Sequence, residues 1–318
     1  MAARARARIC VLAPLALSLL SAFGCSSAAS SNEAPIDTPD SGASDAAVSV
    51  DATADGAIAP PADATLPDAP PADAATGPCP AEMALVTAEA GLVCIDLYEG
   101  ALVHRETDGG ESAWPHFDPV DGYDAGEFRA VPAAGTFPQG YISQVQATEA
   151  CLASGKRLCT FDEWTSACRG RPAHDYVYPY GDTYESGACN EGKESPIIIL
   201  FGPNPTYSSS ELNDPRCDQL EGGLAQGGAY AKCVSTYGAF DMHGNIHEWI
   251  DDTPDPAQPT HGSFMGGYFV DGTLNGPGCT YRTTAHDKTY HDYSTGFRCC
   301  ADAGSLDAKG RKKKPGGE

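Results

Sequence analysis

Basic residues are scarce in this chain. Its 318 residues carry 20 Lys and Arg against 43 Asp and Glu, a formal net charge of −23. A surface that acidic repels nucleic acid and anionic membranes, so no nucleic-acid partner is expected. The basic run KGRKKK, Lys309 to Lys314, sits in a Gly- and Pro-containing tail and reads as a solvated end. Long apolar runs are missing too: Ile9 to Leu20 is too short to span a bilayer. There is no CxxC pair, no GxSxG, no HExxH and no glycine-rich phosphate loop. Those absences remove the usual zinc, hydrolase and nucleotide-binding signatures.

What is present begins with an export signal. Arg4, Arg6 and Arg8 precede the Ile9–Leu20 run, the shape of a signal peptide. The run ends at Ala22-Phe23-Gly24-Cys25, which resembles a bacterial lipobox. Cys25 would then be the lipidated N-terminus of a lipoprotein held to the membrane by its anchor. An ordinary cleaved signal is the alternative, and either route exports the protein. Ser26 after Cys25, rather than Asp, points to the outer membrane, on its periplasmic face or the cell surface. Residues 26–78 then turn to Ala, Pro, Asp, Ser and Thr, with PPADA at Pro60 to Ala64 and again at Pro70 to Ala74. Lacking aromatics, this stretch cannot offset its ordering entropy, so it reads as a disordered tether spanning roughly 40 Å. Setting aside the three leader arginines and nine tether acids leaves −17 on the remainder. The expected division is a leader at 1–25, the tether at 26–78, one folded domain at 79–301 and a basic disordered tail at 302–318.

Eleven of the 13 cysteines fall in the folded part. In an exported protein these should be mostly disulfides, and the odd count leaves one thiol free or bridging outward. Cys79 and Cys94 flank a plausible hairpin and are the first pair to expect. Ser143 with Gln146, and Thr160 with Glu163, are capping boxes. They open helices that stop at Gly155 and near Arg169-Gly170, with GKRL (Gly155 to Leu158) as a tight turn between them. Strand candidates are Met83 to Val86, Leu92 to Asp96 and Phe297 to Cys300. The class is α+β with much loop, braced by disulfides.

YGAFDMHGNIHEW, Tyr237 to Trp249, is the most informative stretch. Asp241 and Glu248 offer carboxylates, and Gly244 and Asn245 tolerate unusual dihedrals. A chain bent there can aim oxygens at a hard cation such as calcium. Its companions along the chain are GKRLCTFDEW (Gly155 to Trp164), ACRG (Ala167 to Gly170), YPYG (Tyr178 to Gly181), Cys189-Asn190, Gly266-Gly267 and GFRC (Gly296 to Cys299). On these motifs the chain resembles the sulfatase-modifying factor family, whose founding activity is the formylglycine-generating enzyme. The resemblance covers about 79–301 and implies a fold related to C-type lectin-like domains, low in regular secondary structure. It implies structural calcium, bound by side chains of Asp241 and Glu248 and carbonyls of Gly244 and Ile246, with a second site beginning at Asn190. It also implies a disulfide from Cys151 to Cys299 or Cys300. The family partner of Cys168 falls near Thr283, so Cys168 must pair elsewhere.

At the catalytic position the sequence departs from the family. Formylglycine-generating enzymes use two cysteines after the paired glycines to bind copper(I) and activate oxygen. Here Asp271 stands at the first position, and Cys279 reaches the second only with a small insertion. A hard carboxylate is a poor copper(I) ligand. Copper and thiol-to-aldehyde conversion are therefore not expected, and Asp271 and Cys279 mark a pseudo-active site. Two functions follow. One is a binding or structural module presenting Tyr268, Phe269, Tyr281 and Arg282 to an unknown protein or glycan ligand. The alternative is an oxygen- or metal-dependent oxidoreductase with a different ligand set, such as non-heme iron held by Asp271 and some of His243, His247, His261, His286 and His291.

Overall fold

Alternation of apolar and polar side chains builds the first sheet. β1 (Met83–Ala88) and β2 (Gly91–Asp96) pair antiparallel across a turn at Glu89 and Ala90. Val86, Val93 and Ile95 point into the core while Leu85 and Leu92 face solvent, as a strand with one covered face requires. The computed structural model describes residues 78–124 and 126–305. Cys25, the tether up to residue 77 and the Lys309–Lys314 run lie outside the described residues.

β3 (Gly100–Arg105), β4 (Glu111–Ala113) and β5 (Phe128–Pro132) form a small antiparallel sheet in the order β4-β3-β5. α1 (Gln144–Ala153) follows its capping box: the Ser143 N–H donates to Gln146 Oε1 at 2.9 Å, and the Gln146 N–H returns to Ser143 Oγ at 3.3 Å. α2 (Phe161–Arg169) opens with the matching box at Thr160 and Glu163. It closes at Gly170, whose φ of +73° suits the left-handed C-cap. Between the helices the structure differs from the expected turn. Gly155 does reverse the chain, but Arg157–Leu158 is a strand, β6, paired with Cys299 and Cys300. A chain edge more than 100 residues away in sequence captures it.

α3 (Pro196–Phe201) and α4 (Ser209–Leu212) are short helices in a long connection to the centre of the domain. There β7 (His247–Ile250), β8 (Ser263–Met265), β9 (Arg282–Thr283) and β10 (Thr295–Phe297) form a sheet in the order β10-β7-β8-β9, with β10 and β7 parallel. β11 (Cys299–Asp302) lies between β2 and β6, so the last strand among the described residues closes the first sheet. Trp164, Trp249 and Phe297 are fully buried between these layers. Among the described residues no helix is long and apolar enough to cross a membrane.

Five disulfides join the described cysteines: Cys79–Cys94, Cys151–Cys299, Cys159–Cys300, Cys168–Cys279 and Cys189–Cys233. Cys217 remains free and buried. The adjacent Cys299 and Cys300 face opposite sides of β11, so one strand is stapled both to α1 and to the segment just before α2.

Candidate functional site

The Tyr237–Trp249 stretch folds as a sequence of left-handed turns, with Gly238, Asp241, Gly244 and Asn245 all at positive φ. At Gly244 a Cβ would collide with the Asn190 carbonyl oxygen, so glycine is required there. Asn245 is a hub. Its Nδ2 donates to Glu99 Oε2 at 2.7 Å, its Oδ1 accepts from Asn190 Nδ2 at 2.8 Å and from the Ala225 N–H at 2.9 Å, and its own N–H donates to the Asn190 carbonyl. The loop is thereby tied to three distant parts of the chain.

Glu248 enters β7 beneath this loop and is fully enclosed. Arg298 Nε donates to its Oε2 at 2.9 Å and Nη2 to its Oε1 at 2.7 Å, while Trp164 Nε1 donates to Oε2 at 2.7 Å. Arg298 also donates to the carbonyls of Asp96 (2.8 Å) and Phe240 (2.6 Å). Asp241 Oδ2 accepts from the Gly228 N–H at 2.6 Å. Glu99, Asp241 and Glu248 thus set three buried carboxylates around one guanidinium. The electrostatic cost is visible in the acids. Burial, with Asp241 and Glu248 nearby, raises the Glu99 carboxyl well above the usual range, and burial pushes Asp241 up to about 7.

Carboxyl, amide and carbonyl oxygens are the donor type that a hard cation takes, and several of them meet here beside Arg298. Asp241 keeps an oxygen free of the Gly228 bond, and no hydrogen-bond donor among the described residues reaches the Gly244 carbonyl. Asn190 Oδ1 is buried without a partner. Glu248, also in the expected set, has both its oxygens accepting from Arg298 and Trp164. Among the described residues no three His, Cys, Asp or Glu side chains gather as a metal cluster, so a cation here would lean on carbonyl and amide oxygens.

The pseudo-active segment lies beside this node. Gly266 and Gly267, both at positive φ, turn the chain into a tight loop in which a Cβ on Gly267 would strike the backbone at Asp271 and Gly272. Asp271 caps that loop: Oδ1 accepts from the N–H groups of Thr273 (2.9 Å) and Leu274 (3.1 Å), and Oδ2 accepts from the Tyr281 hydroxyl at 3.3 Å. Cys279 supplies the partner that Cys168 lacked at the family's position. It is bonded to Cys168 of α2 and fully buried, so it is a brace and not a reactive thiol. With a carboxylate at one position and a half-cystine at the other, the donor set does not fit copper(I).

Two of the four proposed ligand contacts also fail. Phe269 and Tyr281 are core residues, while Tyr268 and Arg282 are half-buried. Tyr281 belongs to a string of polar contacts: Ser294 Oγ lies 3.2 Å from His247 Nδ1, and His247 Nε2 lies 3.4 Å from the Tyr281 hydroxyl. Burial holds His247 down at about 3, so its ring is neutral. Burial, with Asp271 beside it, pushes the Tyr281 phenol up to about 12. The histidines do not converge. His243 faces Glu191 at 3.0 Å, His286 stacks on Tyr290, His291 meets Asp121 at 3.3 Å, and His261 bridges backbone with Asp287.

Sequence reasoning missed Glu99 and the central role of Arg298. Arg298 lies inside the GFRC motif, and a lone arginine flanked by Phe297 and Cys299 on strands was a usable signal of a buried pair. Nothing local marks Glu99, which reaches the node from the connection between β2 and β3.

Comparison with known proteins gives a match to the sulfatase-modifying factor enzyme 1-like domain over residues 102–303. Two curated relatives are similar. Inactive C-alpha-formylglycine-generating enzyme 2 of Mus musculus is 27% identical over 170 residues, 52% of this chain and 50% of that protein. Its Bos taurus counterpart is 26% identical over 177 residues, 53% and 51% of the two. The chain therefore spans about half the length of the curated relatives it matches. Among solved structures, Treponema denticola variable protein 1 aligns with 14% identity and a TM-score of 0.39, covering 66% of this chain and 84% of that one. PvdO from Pseudomonas aeruginosa aligns with 14% identity and a TM-score of 0.38, covering 67% and 81%. The family match and the architecture agree on the α+β, C-type-lectin-like fold of sulfatase-modifying factors, with few helices, several small sheets and five disulfides among the described residues.

Proposed function

The chain belongs to the family of sulfatase-modifying factor enzyme 1-like domains, and from that membership we propose that it is a non-oxidising member, an exported binding or structural module. The observation that carries this reading is the Cys168–Cys279 disulfide beside Asp271, which leaves no thiolate pair for copper(I) and oxygen. The relatives named inactive formylglycine-generating enzymes lend it support. The test is copper loading followed by incubation with a cysteine-containing sulfatase peptide. No aldehyde is expected, and aldehyde formed at a rate that scales with bound copper would sink the reading.

In this proposal calcium stabilises the domain through Asp241, the carbonyls of Gly244 and Ile246, and Glu248 shared with Arg298, with Asn190 at a second position. The surplus of buried carboxylate supports it. A ligand that binds the folded state at a hundred times its Kd adds about 2.7 kcal/mol of stability. Chelation should therefore lower Tm, and Asp241→Ala should abolish the response; a Tm indifferent to both refutes the calcium role. A lipid anchor at Cys25 would hold the domain to the cell envelope, with the outer membrane as its site. Cys25→Ser should then move the protein from the membrane pellet to the soluble fraction, and an unchanged distribution refutes the anchor.

A further inference from the structure

We propose that the cleft between α4, the Thr289–His291 loop and the turn at Asp121 binds a neutral polyhydroxylated ligand, a saccharide. The inference rests on the reading of this domain as a binding module and supplies its ligand class and place. The cleft is an open depression of about 550 Å³, a volume within the range of small-molecule sites, about 300–1,000 Å³. Three separate segments line it, contributing Tyr207, Asn213, Tyr290, His291 and Asp121.

Tyr207 is the anchor. It is 55% exposed, yet it stands at φ +52°, a conformation that bulky non-glycine residues rarely adopt. Strain kept without burying the ring in return is a mark of function. The opposite wall is rigid. The Tyr290 hydroxyl donates to Asp292 Oδ2, and His286 stacks against the ring at 4.0 Å between centroids. The polar groups are also held in place. Asp121 Oδ1 accepts from Gln146 Nε2 at 2.9 Å, Asp121 Oδ2 faces His291 Nε2 at 3.3 Å, and Asn213 Nδ2 donates to the Ser209 carbonyl at 3.0 Å.

This chemistry selects among ligand classes. No Lys or Arg lines the cleft and Asp121 does, so phosphates, sulfates and uronates would meet repulsion without a partner. No strand borders it, so it offers no sheet edge for an extended peptide. An exposed aromatic face takes the C–H face of a sugar ring. Carboxylate, amide and imidazole groups suit hydroxyls, each of which both donates and accepts.

The test is saturation-transfer NMR on the full chain with chitotriose, maltotriose, cellotriose and mannotriose. At least one should show transfer to its ring C–H protons, reduced about tenfold or more by Tyr207→Ala and by Asn213→Ala, the usual consequence of truncating an anchor. Tyr207→Gly should also abolish transfer, and because glycine relieves the left-handed strain it should melt higher than Tyr207→Ala, which keeps that strain. No transfer to any of the four, transfer that survives both alanine substitutions, or stronger transfer to a sulfated or uronic trisaccharide each overturns the proposal. Failure here leaves the copper and calcium results readable on their own, and the sugar assay on the unmodified chain needs neither of them.

Discussion

Replacing Cys279 with serine separates a structural brace from a redox centre. In isolation the Cys168–Cys279 bridge closes a loop with a sequence separation of 111, a chain-entropy contribution of about 4.8 kcal/mol. The neighbouring Cys159–Cys300 bridge already joins much of that loop. The additional closure runs only from Cys159 to Cys168 and from Cys279 to Cys300, about 30 residues, worth about 3.6 kcal/mol. For a domain of this size each kcal/mol moves Tm by about 2–4 °C, so Cys279→Ser should lower it by roughly 7–15 °C. Circular dichroism melting reads the shift. Thiol titration in denaturant without reductant reads the chemistry: the variant should gain one thiol, that of Cys168. A melting point within about 2 °C of the parent, with one thiol lost, would refute the reasoning and restore Cys279 as an unpaired cysteine.

Other parts of the fold are open to equally direct tests. Arg298→Met leaves Glu248 buried without its cation and should cost about 3–5 kcal/mol in urea unfolding; a loss under about 1 kcal/mol would show that the pair adds little. Gly244→Ala places a methyl against the Asn190 carbonyl at a left-handed backbone position, and should lower Tm more than alanine at the exposed Gly109, also at positive φ but in open space. Asp218 is buried with neither carboxylate oxygen bonded. Burial, then the nearby Asp292, raises its carboxyl well above the usual range, while Tyr141, Cys217 and His116 pack around it. A raised folded-state value means stability is full below about pH 4 and declines as pH rises towards that value. Asp218→Asn should therefore raise Tm at pH 7 and change it little at pH 4; equal melting shifts at both pH values would contradict the assignment.

The parts of this fold that were legible in the sequence are those whose causes are local. The capping boxes at Ser143 and Thr160 and the glycine stop at Gly170 are set by groups three or four residues apart, and each appears where it was expected. The β1–β2 hairpin and its Cys79–Cys94 bridge belong to the same short-range class. Features created by distant neighbours were hidden. Arg157 and Leu158 look like a turn until β11 offers them an edge, and the partner of Cys168 stays unnamed until α2 meets Cys279, 111 residues on. Glu99 shows the limit most clearly, because its role exists only where β2, β7 and the chain beyond β10 meet around Arg298. The family motifs crossed part of that gap, since YGAFDMHGNIHEW and GFRC each hold one half of the Glu248–Arg298 pair. What they could not convey is that Glu248 faces inward, with both its oxygens accepting from Arg298 and Trp164. That buried pair, with the Asn245 hydrogen bonds beside it, makes the loop from Asp241 to Glu248 a structural keystone in its own right.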